Sequence, residues 1–209
     1  MIILGLTGSI AMGKTTAANM FRRIGIPVHD ADAKVHALLN IGGKGVEDVA
    51  KAFPETIVKT SAGVSIDRTI LGRSVFKRPS ELVILEAILH PLVRKLELQF
   101  LRQAALRREV LVVLDVPLLF ETGGAERCDL VAVVSAPAFV QRQRALARRN
   151  MTLDRFSSIL VRQMPDGEKR RLADNIIPTG LGYAYSFAVI QRIVRSSLSR
   201  PVQKWRPNR

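Results

Sequence analysis

The 209 residues predict a three-layer α/β protein in which a parallel sheet of about five strands lies between helices. Three observations carry that prediction. Ile2-Ile3-Leu4-Gly5-Leu6-Thr7 is a short apolar run of the kind a buried parallel strand needs. Gly8-Ser9-Ile10-Ala11-Met12-Gly13-Lys14-Thr15 follows directly and fits G-x-x-x-x-G-K-[ST] without a gap. Further buried-strand runs, at Glu109 to Asp115 and Asp129 to Ser135, recur among segments of helical periodicity.

The loop has the residue types that phosphate binding requires. Gly8 and Gly13 let the backbone wrap so that successive N–H groups point at phosphate oxygens. Lys14 supplies a mobile cation for the outer phosphates, and Thr15 offers a hydroxyl to Mg²⁺. A helix starting near Gly13 adds its positive dipole end to the same spot. Ala17, Met20, Phe21 and Ile24 then recur at helical spacing, and Gly25 closes that helix. Strand, loop and amphipathic helix come in the order that a P-loop NTPase fold requires.

Ile26 to Asp30 reads as a short second strand. Asp30 and Asp32 stand at its C-terminal end, where open α/β sheets bind ligands. A helix beginning at Ala33 would let one carboxylate cap and leave the other for chemistry. His29 and His36 have no partner at metal-ligand spacing. From Lys34 to about Arg108 strand-like alternation nearly disappears. The reading there is a loop at Asn40 to Gly45, a helix at Val46 to Phe53 and a turn at Thr60 to Ser65. Helices follow near Asp67 to Phe76 and Ser80 to Leu106, the second carrying Pro91. This block is expected to be an all-helical insertion, either a substrate-binding lobe or padding for the core.

Glu109 to Asp115 ends in an acid, the position of a Walker B carboxylate that holds Mg²⁺ directly or through water. Beyond the strand at Asp129 to Ser135, a helix expected over Ala138 to Asn150 would put Gln141, Arg144 and Arg148 on one face, opposite Phe139 and Leu146. Two guanidiniums on one stripe could clamp phosphates as a lid closes, or form a solvated basic face. Helices at about Thr152 to Met164 and Gly167 to Leu172, a strand at Asn175 to Ile177 and a helix over Tyr183 to Ser199 complete the frame. The expected organisation is one domain. It has a nucleotide-binding core (about 1–33, 108–136 and 170–199), a helical insertion (about 34–107), a helical lid (about 137–169) and a basic tail (200–209).

Composition narrows the function classes. A formal net charge of +14 suits phosphate-rich ligands, nucleic acid or an anionic membrane surface, without choosing among them. One cysteine, Cys128, excludes an internal disulfide framework and fits a reducing cytosol, so a cytoplasmic location is expected. Asn175 to Gln191 is uncharged but broken by Pro178, Gly180 and Gly182, which reads as strand, turn and helix and not as a membrane span. The apolar N-terminus lacks the basic n-region of a signal peptide. No Asn-Lys-x-Asp guanine-reading motif is present, which counts against a GTPase. No nucleic-acid-binding motif appears either, so a basic nucleic-acid-associated NTPase has only net charge behind it.

Beyond the loop, the chain resembles the dephospho-coenzyme A kinase family. The resemblance rests on Gly5-Leu6-Thr7-Gly8 with Gly13-Lys14-Thr15-Thr16, on Asp30-Ala31-Asp32, and on Ile66-Asp67-Arg68 with Leu71 and Val75-Phe76. It continues through Leu85-Glu86-x-Ile88-x-His90-Pro91 and Asp115-Val116-Pro117-Leu118-Leu119-Phe120-Glu121. Gln141-x-x-Arg144-x-x-x-Arg148, Gln163 and Ala173-Asp174 complete it, so that it runs from residue 2 to about 177. Two departures stand out. Ala11 occupies a position where the family usually has Gly, and the family commonly carries Asn near residue 179, where this chain has Pro178-Thr179-Gly180.

The resemblance implies transfer of the ATP γ-phosphoryl group to the ribose 3′-hydroxyl of dephospho-coenzyme A. A nucleoside or nucleotide kinase of related fold is the alternative. ATP-binding residues would be Gly8, Ala11, Met12, Gly13, Lys14, Thr15, Thr16 and Arg148. Asp32, Lys14 and Arg144 would be catalytic, with Asp32 as general base or hydroxyl positioner. Asp32, Arg68, His90, Pro117, Leu118 and Glu121 would contact the acceptor, and Thr15 and Asp115 would serve Mg²⁺. The implied partners are ATP and dephospho-coenzyme A, with no nucleic acid and no membrane, in a monomer or small homo-oligomer.

Overall fold

The computed structural model describes residues 1–76 and 78–199, and the expected basic tail at 200–209 lies outside them. In chain order the elements are β1 (Ile2–Thr7), α1 (Lys14–Arg23), β2 (Val28–Asp30), α2 (Ala31–Leu39), α3 (Val46–Ala52), β3 (Ile57–Thr60), β4 (Gly63–Ile66), α4 (Arg68–Phe76) and α5 (Pro79–Leu106). They continue with β5 (Leu111–Asp115), β6 (Leu130–Ser135), α6 (Ala138–Leu146), α7 (Leu153–Val161), α8 (Asp166–Leu172), β7 (Asn175–Pro178) and α9 (Tyr183–Leu198). Two compact units result. One comprises Met1–Asp30 and the chain from Arg102 onward, the other Ala31–Leu101.

The first unit is an α/β P-loop fold. Its five strands pair in parallel in the order β2-β5-β1-β6-β7. β1 is central because its residues are apolar on both faces and every one is buried. Ile2, Leu4 and Leu6 join Leu111, Val113, Leu130, Ala132, Val134 and Ile177 in one core, which Ala17, Ala18, Met20 and Phe21 of α1 and Ile190 and Ile193 of α9 cover. Burial of each large aliphatic side chain contributes about 1.5–3 kcal/mol. On the opposite face Gly5 has no room for a side chain: a Cβ there would lie 2.6 Å from Leu119 and 2.8 Å from the Cys128 sulfur. Parallel register brings Leu6, Asp30 and Asp115 level, so the acids at the ends of β2 and β5 share one edge with the loop that follows β1.

Helix α1 ends as its sequence predicts. Gly25 adopts φ 81°, its N–H donates to the Arg22 carbonyl (3.0 Å), and the N–H of Ile26 donates to that of Phe21 (3.1 Å), a Schellman cap. Helix α2, however, begins at Ala31 and not at Ala33, which leaves Asp30 as the last residue of β2 and puts Asp32 in the first helical turn. There a carboxylate complements the positive helix end.

The second unit packs Leu39, Val46, Val49, Phe53, Ile66, Leu71 and Leu89 into its own core. It is not all-helical. Where the sequence reading has only a turn at Thr60 to Ser65, β3 and β4 form an antiparallel hairpin. Its strands are four residues long and mostly exposed, so no alternation of apolar and polar positions marks them. The signal present is composition: Ile57, Val58, Thr60, Val64 and Ile66 are all β-branched. Asp67 caps α4, accepting bonds from the N–H groups of Thr69 (2.7 Å) and Ile70 (3.1 Å). The bonds from Ile70 and then Thr69 hold its carboxyl below the usual carboxylate range.

Candidate active site

The site grows out of the junction between β1 and α1. Gly8 is buried against β6, and a Cβ there would come within 2.3 Å of the Val134 side chain and 2.8 Å of its carbonyl oxygen. The loop then turns on itself, with the N–H of Met12 donating to the Ser9 carbonyl (3.1 Å). Ala11 (φ 61°) and Gly13 (φ 93°) both take the left-handed conformation. Gly13 leads into α1, which starts at Lys14 with no side-chain cap and no acid in its first turn. Unpartnered N–H groups and the positive dipole end at this point favour an anion.

Neighbouring elements hold the loop. Thr179, at the end of β7, donates from Oγ1 to the Met12 carbonyl (2.6 Å), while its own N–H donates to the Ser135 carbonyl (2.8 Å). Arg144 on α6 donates to Thr179, from Nη1 to Oγ1 (3.2 Å) and from Nη2 to the carbonyl (2.8 Å). Two glutamines grip Ile10. Gln141 Nε2 donates to its carbonyl and its N–H donates to Gln163 Oε1, each over 2.9 Å. Ala11 packs with Ala145 and Phe156, so its methyl group belongs to an apolar cluster formed with α6 and α7.

Lys14 reaches Asp115, with Nζ 2.7 Å from Oδ1 and the carboxylate side chain 2% exposed. Asp115 therefore stands where a Walker B acid is expected, and its carboxylate is engaged by the loop lysine. The hydroxyl of Thr15 is on an exposed residue in the first turn of α1. Among the described residues no cluster of three or more His, Cys, Asp or Glu could hold a metal ion by itself. Two hard oxygen donors, Thr15 and Asp115, fit Mg²⁺ that arrives on phosphate oxygens and keeps waters, because such an ion needs only one or two protein ligands.

The loop after β5 is tied down from below. Thr7 Oγ1 donates to the Pro117 carbonyl (2.8 Å), and Leu119 is fully buried. Lys169 on α8 is completely buried. Its Nζ lies 2.9 Å from Glu121 Oε1 and donates to the Pro117 carbonyl over 3.4 Å. Glu121 also accepts the N–H of Met164 (2.8 Å). Burial alone would raise the Glu121 carboxyl. The Lys169 hydrogen bond, the N–H groups of Glu121 and Met164 and the Lys169 charge outweigh it and hold the carboxyl below its ordinary value.

The expected arginine stripe is not formed. α6 stops at Leu146 and the N–H of Arg148 turns back to the Ala145 carbonyl (3.1 Å), so Arg148 lies past the helix and not on one face with Gln141 and Arg144. The helix ends early because Asn150 takes a left-handed φ of 60° and Thr152 caps α7, which returns Met151, Phe156 and Leu160 to the cluster around Ala11. The first unit thus holds two bonded groups around the loop, Lys14 with Asp115 and Arg144 with Thr179 and the Met12 carbonyl. Asp30 lies 3.9 Å from Arg22. Asp32, Arg68 and His90 are exposed on three different helices of the second unit. Neither Lys169 nor the anchoring role of Thr179 is marked by the sequence. Lys169 sits in a charged run, Glu168-Lys169-Arg170-Arg171, that looks solvated throughout. The Pro-Thr-Gly turn at a strand end was the only hint of Thr179.

A parallel sheet with a phosphate loop at its centre, an uncapped helix start and an adjacent lysine–carboxylate pair define a P-loop phosphotransferase. A model of the dephospho-CoA kinase family matches residues 2–181. The chain is 52% identical to the dephospho-CoA kinase of Rhodospirillum rubrum, over 98% of this chain and 95% of that one. To that of Paramagnetospirillum magneticum it is 60% identical, over 81% and 78%. The solved dephospho-CoA kinase of Campylobacter jejuni matches with a TM-score of 0.67 at 27% identity, over 93% of this chain and 96% of that one. The chain belongs to the dephospho-CoA kinase family and is an ATP-dependent kinase.

Proposed function

We propose that this chain transfers the γ-phosphoryl group of ATP to the ribose 3′-hydroxyl of dephospho-coenzyme A, releasing coenzyme A and ADP. The observation that carries the reading is the Gly8–Thr15 loop at the sheet centre with Lys14 beside Asp115, in a chain of this family. Phosphoryl transfer asks little covalent chemistry of a protein and depends on placement and charge neutralisation. We assign the loop N–H groups from Gly8 through Thr16, apart from those of Ile10 and Met12, which donate to Gln163 and Ser9, and the Lys14 ammonium to the β- and γ-phosphates. The electron-rich transferring group then sits against the positive end of α1. Thr15, with Asp115 assisting, would hold Mg²⁺, which supplies charge neutralisation on the phosphates when bound.

Asp32 is assigned to the acceptor hydroxyl. Its exposed carboxylate at the start of α2 can orient the hydroxyl and take its proton as the O–P bond forms. Asp30, beside Arg22, is the structural partner. Arg144 and Arg148 are assigned to the phosphates from the lid segment, although Arg144 also braces Thr179. Arg68, His90, Pro117 and Leu118 are assigned to the acceptor, with Glu121 shaping the loop that carries Pro117 and Leu118. With no disulfide to form from its one cysteine, the protein suits the cytoplasm.

The test is ADP release with dephospho-coenzyme A against adenosine, AMP and pantetheine phosphate as acceptors. Turnover with dephospho-coenzyme A at least about 10²-fold above the others is expected, because a site built around one acceptor loses its orienting contacts with fragments. Equal turnover with adenosine or AMP would make the protein a nucleoside or nucleotide kinase instead.

A further inference from the structure

Ile10 is the one loop residue whose backbone N–H and carbonyl are both bonded by side-chain amides among the described residues. Its carbonyl can only accept and its N–H can only donate. Gln141 must therefore present its NH₂ group and Gln163 its oxygen. Gln141 is buried, 6% exposed, and both glutamines belong to the segment from α6 to the residues after α7. Beside them Ala11, held at a left-handed φ of 61°, packs with Ala145 and Phe156. A non-glycine residue keeps such a conformation only where its surroundings over-determine it. Two directional bonds on the preceding residue and an apolar contact on Ala11 itself meet that condition.

We propose that Gln141 and Gln163 are positioning residues for phosphoryl transfer: together they fix the two peptide groups that flank the Ile10 Cα, and so aim the N–H groups of the loop that follow it at the phosphates. This rests on the reading that the loop holds the ATP phosphates. Neither glutamine needs to touch the nucleotide. The pair instead makes the loop conformation depend on α6 and α7, so that the affinity of the loop for phosphate is set partly from outside its own eight residues.

The two amides play opposite parts, and that gives a test which packing alone cannot mimic. Gln163→Glu and Gln141→Glu are the same isosteric change with the same added charge. Gln163→Glu keeps an oxygen that accepts the Ile10 N–H. Gln141→Glu replaces a donor by an oxygen facing the Ile10 carbonyl. Steady-state kinetics of the full chain at pH 7.5, with ADP binding by calorimetry and melting as a control, should separate them. Gln141→Glu is expected to raise the ATP KM and the ADP Kd roughly tenfold or more. Gln163→Glu carries the same added charge but keeps the acceptor, so it should lose at least about threefold less nucleotide affinity than Gln141→Glu, while Gln163→Ala loses affinity with no charge added. The KM for the acceptor should move less than about twofold in all of them.

Gln141→Leu removes the donor without adding charge, and serves if Gln141→Glu does not fold. It should weaken ADP binding in the same direction, with a melting temperature lowered by no more than about 10 °C. Equal effects of the two Gln→Glu changes, or wild-type nucleotide affinity in Gln141→Leu, would overturn the proposal. Wild-type protein that binds no ADP would instead overturn the reading of the loop on which it rests, and Lys14→Ala in parallel tells the two failures apart.

Discussion

Replacing Lys169 by Met is expected to destabilise the protein by about 2–4 kcal/mol. Its ammonium is fully buried, 2.9 Å from a Glu121 oxygen whose side chain is 18% exposed. Removing one partner from a buried pair costs about 3–5 kcal/mol, because the other charge is left uncompensated. Glu121 keeps the N–H of Met164 and some contact with water, which moves the figure toward the lower end. Met follows the aliphatic stem of Lys, so little cavity adds to it. For a chain of this size each kcal/mol shifts the melting temperature by about 2–4 °C, so the variant should melt about 5–15 °C lower at pH 7. Removing both charges in Lys169→Met with Glu121→Leu should recover most of the loss, and the cycle of four proteins isolates the pair.

The pH dependence has a definite sign. Glu121 titrates below its ordinary value in the folded protein, so its pairing contributes stability above the unfolded pKa, about 4.3. That contribution is lost as pH falls through the depressed folded value. Circular-dichroism melts of wild type and Lys169→Met should therefore differ by the full amount at pH 7 and converge progressively on acidification, the wild type losing its share only below about 4.3. A variant melting within about 2 °C of wild type at pH 7 would refute the reasoning. So would a gap that widens on acidification, or a double variant no more stable than Lys169→Met alone.

Three further outcomes are expected. Lys14→Ala should lower kcat roughly 10²-fold or more, because developing charge loses a positioned cation; wild-type turnover would show that the loop does not serve ATP. Asp32→Asn should lose roughly 10²–10⁴-fold in kcat with ADP affinity nearly intact, and Asp30→Asn far less. If acceptor KM rises in Asp32→Asn while kcat holds, its role is binding and not proton transfer. Thr179→Val keeps the shape but removes the hydroxyl between Met12 and Arg144. It should cost about 1–3 kcal/mol in urea unfolding and weaken ADP binding severalfold; an unchanged ADP affinity would mean that Thr179 does not brace the loop.

Much of the first unit was legible because its signals are local. A six-residue strand buried on both faces reads as an unbroken apolar run, and a glycine after a periodic helix reads as its end. The β3–β4 hairpin was not legible for the converse reason. Of its eight residues only Ile66 is buried, so burial imposed no period on the sequence. The end of α6 was missed on similar grounds. Arg148 and Arg149 continue a helical composition, and the one local sign of the turn is Asn150, a residue type that tolerates the left-handed conformation it takes here.

The site divides along the same line. The residues assigned to present charge to a ligand, Lys14 and Asp115 among them, are marked by their chemical type and by a short pattern. Residues whose task is to hold the backbone that presents it are not. Gln163, Gln141 and Thr179 reach the loop across 153, 131 and 167 positions of chain, and nothing in the spacing of the loop itself selects them. A glutamine serves there because the carbonyl of Ile10 needs a donor and its N–H an acceptor, and a carboxamide can supply either without a charge to desolvate. A charged clamp at Ile10 would add its own field next to the phosphates. A neutral one fixes the backbone and leaves the electrostatics of the site to Lys14 and the start of α1.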